Sequence, residues 1–236
     1  MAPAWLHALA IAFALLGVAC ALGIAVDVLR HPQRMGVMNV VWPVTALFGT
    51  VLALWAYGRW GRLSTQEAIE RQGPPRTPGP VATGTGTAHC GSACTLADIL
   101  GEWLAVGAPG ILAWVGLGTV FEQMIFARWV LDFILAFLLG IAFQYFAIVP
   151  MRKLAFLPGV WAAVKADTLS LAAWQVGMYG FMAVVHFGLY ARVLGARLAV
   201  NSFEFWFFMQ IGMLCGFATA YPVNAWLIRK GWKERM

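Results

Sequence analysis

The sequence predicts an all-α integral membrane protein, a bundle of about six transmembrane helices with a Pro/Gly/Thr-rich cytoplasmic linker between the second and third. Two observations carry this. Of the 236 residues, 61% are hydrophobic and only 11% charged, where an ordinary soluble domain has roughly a quarter charged. The apolar residues also fall in continuous runs as long as the ~20 residues a helix needs to cross hydrocarbon. The strands of a β-barrel would be alternating segments of about ten residues.

The six runs are 5–29, 37–58, 95–118, 127–149, 168–190 and 203–228. In the first, "GVACA" around Cys20 suggests a cleavage or lipidation site. No Lys or Arg precedes the run, however, and it is too long for a signal peptide's apolar region, so it is expected to remain a helix. The following "HPQRMGVM" reads as a turn marked by Pro32, with first contacts for an ion from His31, Met35 and Met38 as the alternative. After the second run, Ser64 and Glu67 have capping-box spacing for a short surface helix, and "PPRTPGPVATGTGT" is too poor in apolar residues to pack. The chain thus divides into an N-terminal pair of helices (1–58), a linker (59–94) and a four-helix portion (95–236).

Cytoplasmic loops carry the excess of Lys and Arg. With six spans, Arg59, Arg62, Arg71, Arg76, Arg152, Lys153, Lys165, Arg229, Lys230, Lys233 and Arg235 share one side, and Arg30, Arg34, Arg128, Arg192 and Arg197 the other. Both termini are therefore expected in the cytoplasm and the protein in the inner, cytoplasmic membrane. His7 then belongs near the inner face, Asp27 and Glu204 near the outer. The net charge of +6 suits anionic lipid and calls for no nucleic acid.

The linker ends in "AHCGSACTLADILGEWLAV". If a helix starts near Cys94, with Thr95 and Asp98 at capping spacing, then Cys94, Asp98 and Glu102 share one face while His89 and Cys90 sit on a flexible approach. Thiolates and imidazole suit copper(I) or zinc, and in the reducing cytoplasm a structural disulfide is not expected. A capped helix start with incidental cysteines is the plainer alternative. The fifth run places Met178, Met182 and His186 at four-residue spacing, and the sixth places Met209 and Met213 likewise. Thioethers prefer copper(I), and paired sets of them, like the methionine pair lining eukaryotic high-affinity copper transporters, would pass an ion between weak sites. Methionine is equally an ordinary filler of irregular cores.

Polar groups inside a membrane are functional candidates by default. These are Asp98, Glu102, Asp167, Gln175, Tyr221 and Asn224, with Gln144 at a helix edge. Asp132 is expected to pair locally with Arg128, one turn earlier, and Pro222 to kink or end the last helix.

The strings "HCGSACTLADILGE", "LDFILAFLLGIAFQYFAI", "KADTLSLAAWQVGMYGFM" and "YPVNAWLIRKGWKERM" resemble the prokaryotic integral-membrane family known as domain of unknown function 4396, over roughly residues 88–236. The resemblance adds weight to Asp167, Gln175, Tyr179, Tyr221 and Asn224 without implying an activity. Three classes of function are left: a carrier of a soft transition metal, copper(I) first; a membrane thiol oxidoreductase using Cys90 and Cys94; and a non-catalytic accessory protein. A non-enzyme is favoured. Neither a P-loop nor a dinucleotide fingerprint is present, so no nucleotide cofactor is expected. Heme would need facing histidines, and only His186 lies in a span. Expected partners are membrane lipids and the metal ion, with a second copy of the chain or a metallochaperone as further candidates.

Overall fold

A computed structural model describes residues 3–234. Arg235 and Met236, counted above with the basic side and the family resemblance, lie outside them. The described chain is all-α: α1 (Ala4–Arg30), α2 (Met38–Arg59), α3 (Gln66–Gln72), α4 (Gly79–Gly107), α5 (Ile111–Trp114), α6 (Met124–Arg152), α7 (Phe156–Ala183) and α8 (Phe203–Arg229). A one-turn 3₁₀ helix, Gly61–Ser64, follows α2, and α7 continues as a π-helical stretch, Val184–Val193. Five helices are long and apolar enough to cross a membrane: α1, α2, α6, α7 with its continuation, and α8. Large apolar side chains face outward on them, Leu52 at 65% exposure and Val176 at 71%, while Asp98, Asp167 and Asn224 are fully buried. Apolar outside and polar inside is the arrangement of a multi-pass membrane protein.

The second apolar run does not cross. At Thr50 the backbone adopts φ 44° and ψ −125°, which breaks α2 into arms 38–49 and 51–59. The Trp42 and Tyr57 rings lie 5.5 Å apart, where a straight helix would separate them by about 22 Å. Tyr57 also donates to Asp27 at the end of α1, and Gln33 donates to the Gly61 carbonyl. The arms are therefore a re-entrant hairpin that enters and leaves at the same end. The longer arm reaches about 18 Å, roughly half the thickness of a bilayer.

This reverses half of the expected topology. His7 and Glu204, placed on opposite sides from sequence, meet at 2.8 Å. Asp27 instead lies with Arg62 at the other end, N–O 3.2 Å. That second end also holds the Tyr221–Pro80 hydrogen bond (3.1 Å) and the Arg152–Glu234 ion pair. The described N-terminal segment and the C-terminal tail thus sit at opposite ends of the bundle, not at the same one. Arg30 and Arg34 move to the second end, which now holds 12 of the 15 described Lys and Arg; only Arg128, Arg192 and Arg197 lie at the first. It is called the basic end below.

The third helix starts at Gly79, well before the expected position near Cys94. The "TGTGT" stretch read as linker is helix, and within it Thr83 and Thr87 satisfy their hydroxyls on the carbonyls of Gly79 and Thr83 (3.0 and 2.8 Å). Its small side chains also let α2 and α8 come close. The linker is accordingly confined to residues ahead of Gly79. Within it, α3 is capped by Thr65, which accepts from the Ala68 N–H, in place of the expected Ser64. Residues 31–37 do form the expected turn, and Pro222 leaves α8 unbroken to Arg229, as neighbours in a bundle allow.

Candidate functional site

Because α4 begins early, the cysteine cluster lies at mid-helix in the centre of the bundle and not on a flexible approach. Cys90, Cys94, Asp98 and Glu102 follow one another every four residues, and all are at most 4% exposed. They form a polar seam along α4. Thr95, expected to cap the helix, donates to the Gly91 carbonyl instead (2.8 Å). His89 points elsewhere, its ring edge-on to Phe143 with centroids 5.8 Å apart.

Facing helices extend the seam. Asp132 of α6 lies against Gly101, and Asp167 of α7 against Gly140, so that glycine in each case makes room for a carboxylate. Arg128 does not pair with Asp132; its guanidinium reaches Glu102 at 3.3 Å, because α4 packs along α6 and offers a carboxylate on the inner side. Asp98 and Asp167 have neither oxygen hydrogen-bonded, and Gln144 and Gln175 are likewise buried without partners. Cys94 lies between the two halves, neighboured by Asp98 on one side and by Cys90 and Asp167 on the other.

The methionine stripes of α7 and α8 meet. A methyl group at Gly212 of α8 would stand 3.4 Å from Met178 Cγ and 3.5 Å from Met182 Cγ, which sets the α7 pair between Met209 and Met213. A cavity of about 670 Å³ opens at the first end and is lined by Met178, Met182, Met209, His186, Glu102 and Asp132, among others. His186 sits in the π-helical stretch, an irregularity common at functional sites. At the inner end, Met213 Sδ lies 3.6 Å from Thr95 Oγ, beside Cys94. Met178, Met182, Met209, Met213, Cys90 and Cys94 belong to one buried cluster.

Among the described residues, no three His, Cys, Asp or Glu side chains converge to hold a metal ion. His89 with the two cysteines therefore forms no ready three-donor site, and any soft site must draw on thioethers. Of the remaining candidates, Tyr221 ties α8 to the start of α4, and Asn224 accepts from Ser170 at 3.0 Å. Two participants escaped the sequence reading. Asp132 was discounted for a local pair that does not form. Lys233 counted only as a tail charge, yet the chain turns back after α8 at Gly231 (φ 68°) and buries its ammonium against Ser170 Oγ at 3.3 Å. The single apolar Trp232 between basic residues was the available signal.

No curated protein matches the chain, and no solved structure does. A family model described as "Domain of unknown function (DUF4396)" matches residues 81–233. That match takes in α4, the whole seam, both methionine stripes and the returning tail, and leaves out α1 and the hairpin. By a match over well more than half its length, the chain belongs to the DUF4396 family.

Proposed function

We propose that the protein is a carrier for a soft transition-metal cation, copper(I), in the cytoplasmic membrane, with its basic end in the cytoplasm. The observation that carries this reading is the thioether-lined cavity, behind which Met213, Cys94 and Cys90 are packed in the same buried cluster, with Thr95 against Met213. At the cavity wall Glu102, Glu122 and Asp132 outnumber Arg128 and Arg197, a balance that favours a cation. Thioether donors then hold it weakly enough to pass it on, and about two or three soft donors suffice for copper(I). The concentration of Lys and Arg at one end supports the orientation. Burial of both cysteines speaks against thiol exchange with a protein substrate, since an attacking thiolate needs access.

Titrating the purified full chain with copper(I) against a chromophoric chelator tests the reading, with uptake of copper(I) into vesicles as the second measurement. Binding near stoichiometry and protein-dependent uptake are expected. A chain that leaves all copper with a chelator of micromolar affinity and adds nothing to uptake overturns it.

A further inference from the structure

The polar groups at the basic end are not accounted for by a soft-metal path. Asp167 is fully buried beside Gln144 and Cys90, but neither side chain meets its carboxylate in good hydrogen-bond geometry, and the Gln144 amide has no other partner. Ser170, one turn after Asp167 on α7, is also fully buried and donates at 3.0 Å to the fully buried Asn224 of α8. These are oxygen donors on α6, α7 and α8, linked to one buried anion through Gln144 and Ser170, a set that suits a hard cation and not a soft one. A cation is already there in covalent form. The Lys233 ammonium is buried, it bonds to Ser170 Oγ, and among the described residues no carboxylate lies within ion-pairing distance of it. It neutralises the site at a distance and leaves the oxygens of Asp167 free.

The segment that delivers Lys233 is a detachable one. It is a short turn beyond α8, held by Arg152, which binds both the Gly231 carbonyl and Glu234, and by Trp232 packed on Trp226 and under the Lys165 ammonium. Arg152 and Glu234 are solvent-accessible, so their pair is worth about 1 kcal/mol or less.

We propose that Asp167, Gln144, Ser170 and Asn224 form a binding site for a monovalent alkali cation, and that Lys233 is its built-in occupant, displaced when the ion binds. A tethered ammonium avoids leaving Asp167 as an uncompensated buried charge, which would be strongly unfavourable. The free ion replaces that compensation and takes up the oxygens that the ammonium leaves unbonded. This site is separate from the thioether cavity and does not depend on the copper(I) reading.

The test uses the full chain in detergent micelles with sodium chloride, potassium chloride or choline chloride at equal ionic strength. Sodium is expected to raise the unfolding midpoint relative to choline and to speed tryptic cleavage after Lys233 while leaving cleavage in the 59–78 segment unchanged. In Lys233→Gln the competitor is gone, so the sodium concentration giving half the stabilisation should fall about tenfold. Asp167→Asn should abolish the sodium effect; if that variant does not fold, the tryptic assay on the wild-type chain decides. Identical midpoints in sodium and choline for wild type and Lys233→Gln alike, together with an unchanged rate of wild-type cleavage after Lys233, overturn the proposal.

Discussion

Gln210 of α8 donates its amide to the Leu47 carbonyl at 2.7 Å and lies 3.2 Å from the Phe13 carbonyl of α1. Leu47 is at the buried tip of the hairpin, where the break at Thr50 leaves backbone carbonyls without helical partners. Lipid offers no substitute donor, so an irregular backbone at this depth survives only where protein satisfies it. Gln210 is thus what allows α2 to turn back inside the bundle. Gln210→Leu should cost about 1–3 kcal/mol, the penalty of a buried carbonyl left unbonded, measured by denaturant unfolding in micelles. A variant as stable as the wild type would show that the tip needs no such cap.

The same tip supplies a prediction of opposite sign. Thr50 is β-branched and held at φ 44°, a conformation costing about 1–3 kcal/mol that glycine adopts freely. After the added backbone entropy of glycine, Thr50→Gly should stabilise the protein by about 1 kcal/mol in the same assay. Destabilisation would mean that the reversal is not strained.

Hairpin and full span differ in the side on which residues 31–37 emerge. Gly36 stands in open space at the end that also carries the segment before Gly79. In a chain whose native cysteines are replaced by serine, Gly36→Cys and Thr77→Cys should react with a membrane-impermeant maleimide from the same side, and Thr119→Cys from the opposite one. Reaction of Gly36→Cys together with Thr119→Cys would restore the six-span arrangement.

Met178→Leu with Met182→Leu separates ligation from packing. Both residues are buried, and the swap nearly conserves volume at less than about 1.5 kcal/mol each. The double variant should be present in the membrane at normal level, with copper(I) uptake reduced at least about tenfold. Wild-type uptake from a stable double variant would reduce the stripe to core packing.

Cys90→Ser with Cys94→Ser removes the thiols at the centre of the seam. Burial at 1% and 0% exposure means that the new hydroxyls must return to backbone carbonyls one turn earlier, as those of Ser92 and Thr95 already do. Folding should survive with a loss of about 1 kcal/mol, and copper(I) affinity should fall sharply in the chelator competition. Unchanged affinity would leave the two thiols a structural role alone.

The membrane environment, the helical class and the places of α1, α6, α7 and α8 were legible in the sequence, because hydropathy over a window reports the solvent a segment faces. The four-residue spacings were legible too, since a helix turns every 3.6 residues whatever surrounds it. Direction is not encoded in that way. Two arms of 12 and nine residues with Thr50 between them make up the 22-residue length of one span, so a hairpin and a crossing helix have the same hydropathy. Only the contacts of Trp42 with Tyr57 and of Gln210 with Leu47 distinguish them. The converse error hid the start of α4. A helix covered by protein on most sides need not be apolar, and one made of Gly, Thr, Ser and Ala resembles a linker until its neighbours are in place. Pairing of charges was settled in the same way: Arg128 had Asp132 one turn away by sequence, but packing of α4 on α6 brought Glu102 to it and left Asp132 in the seam.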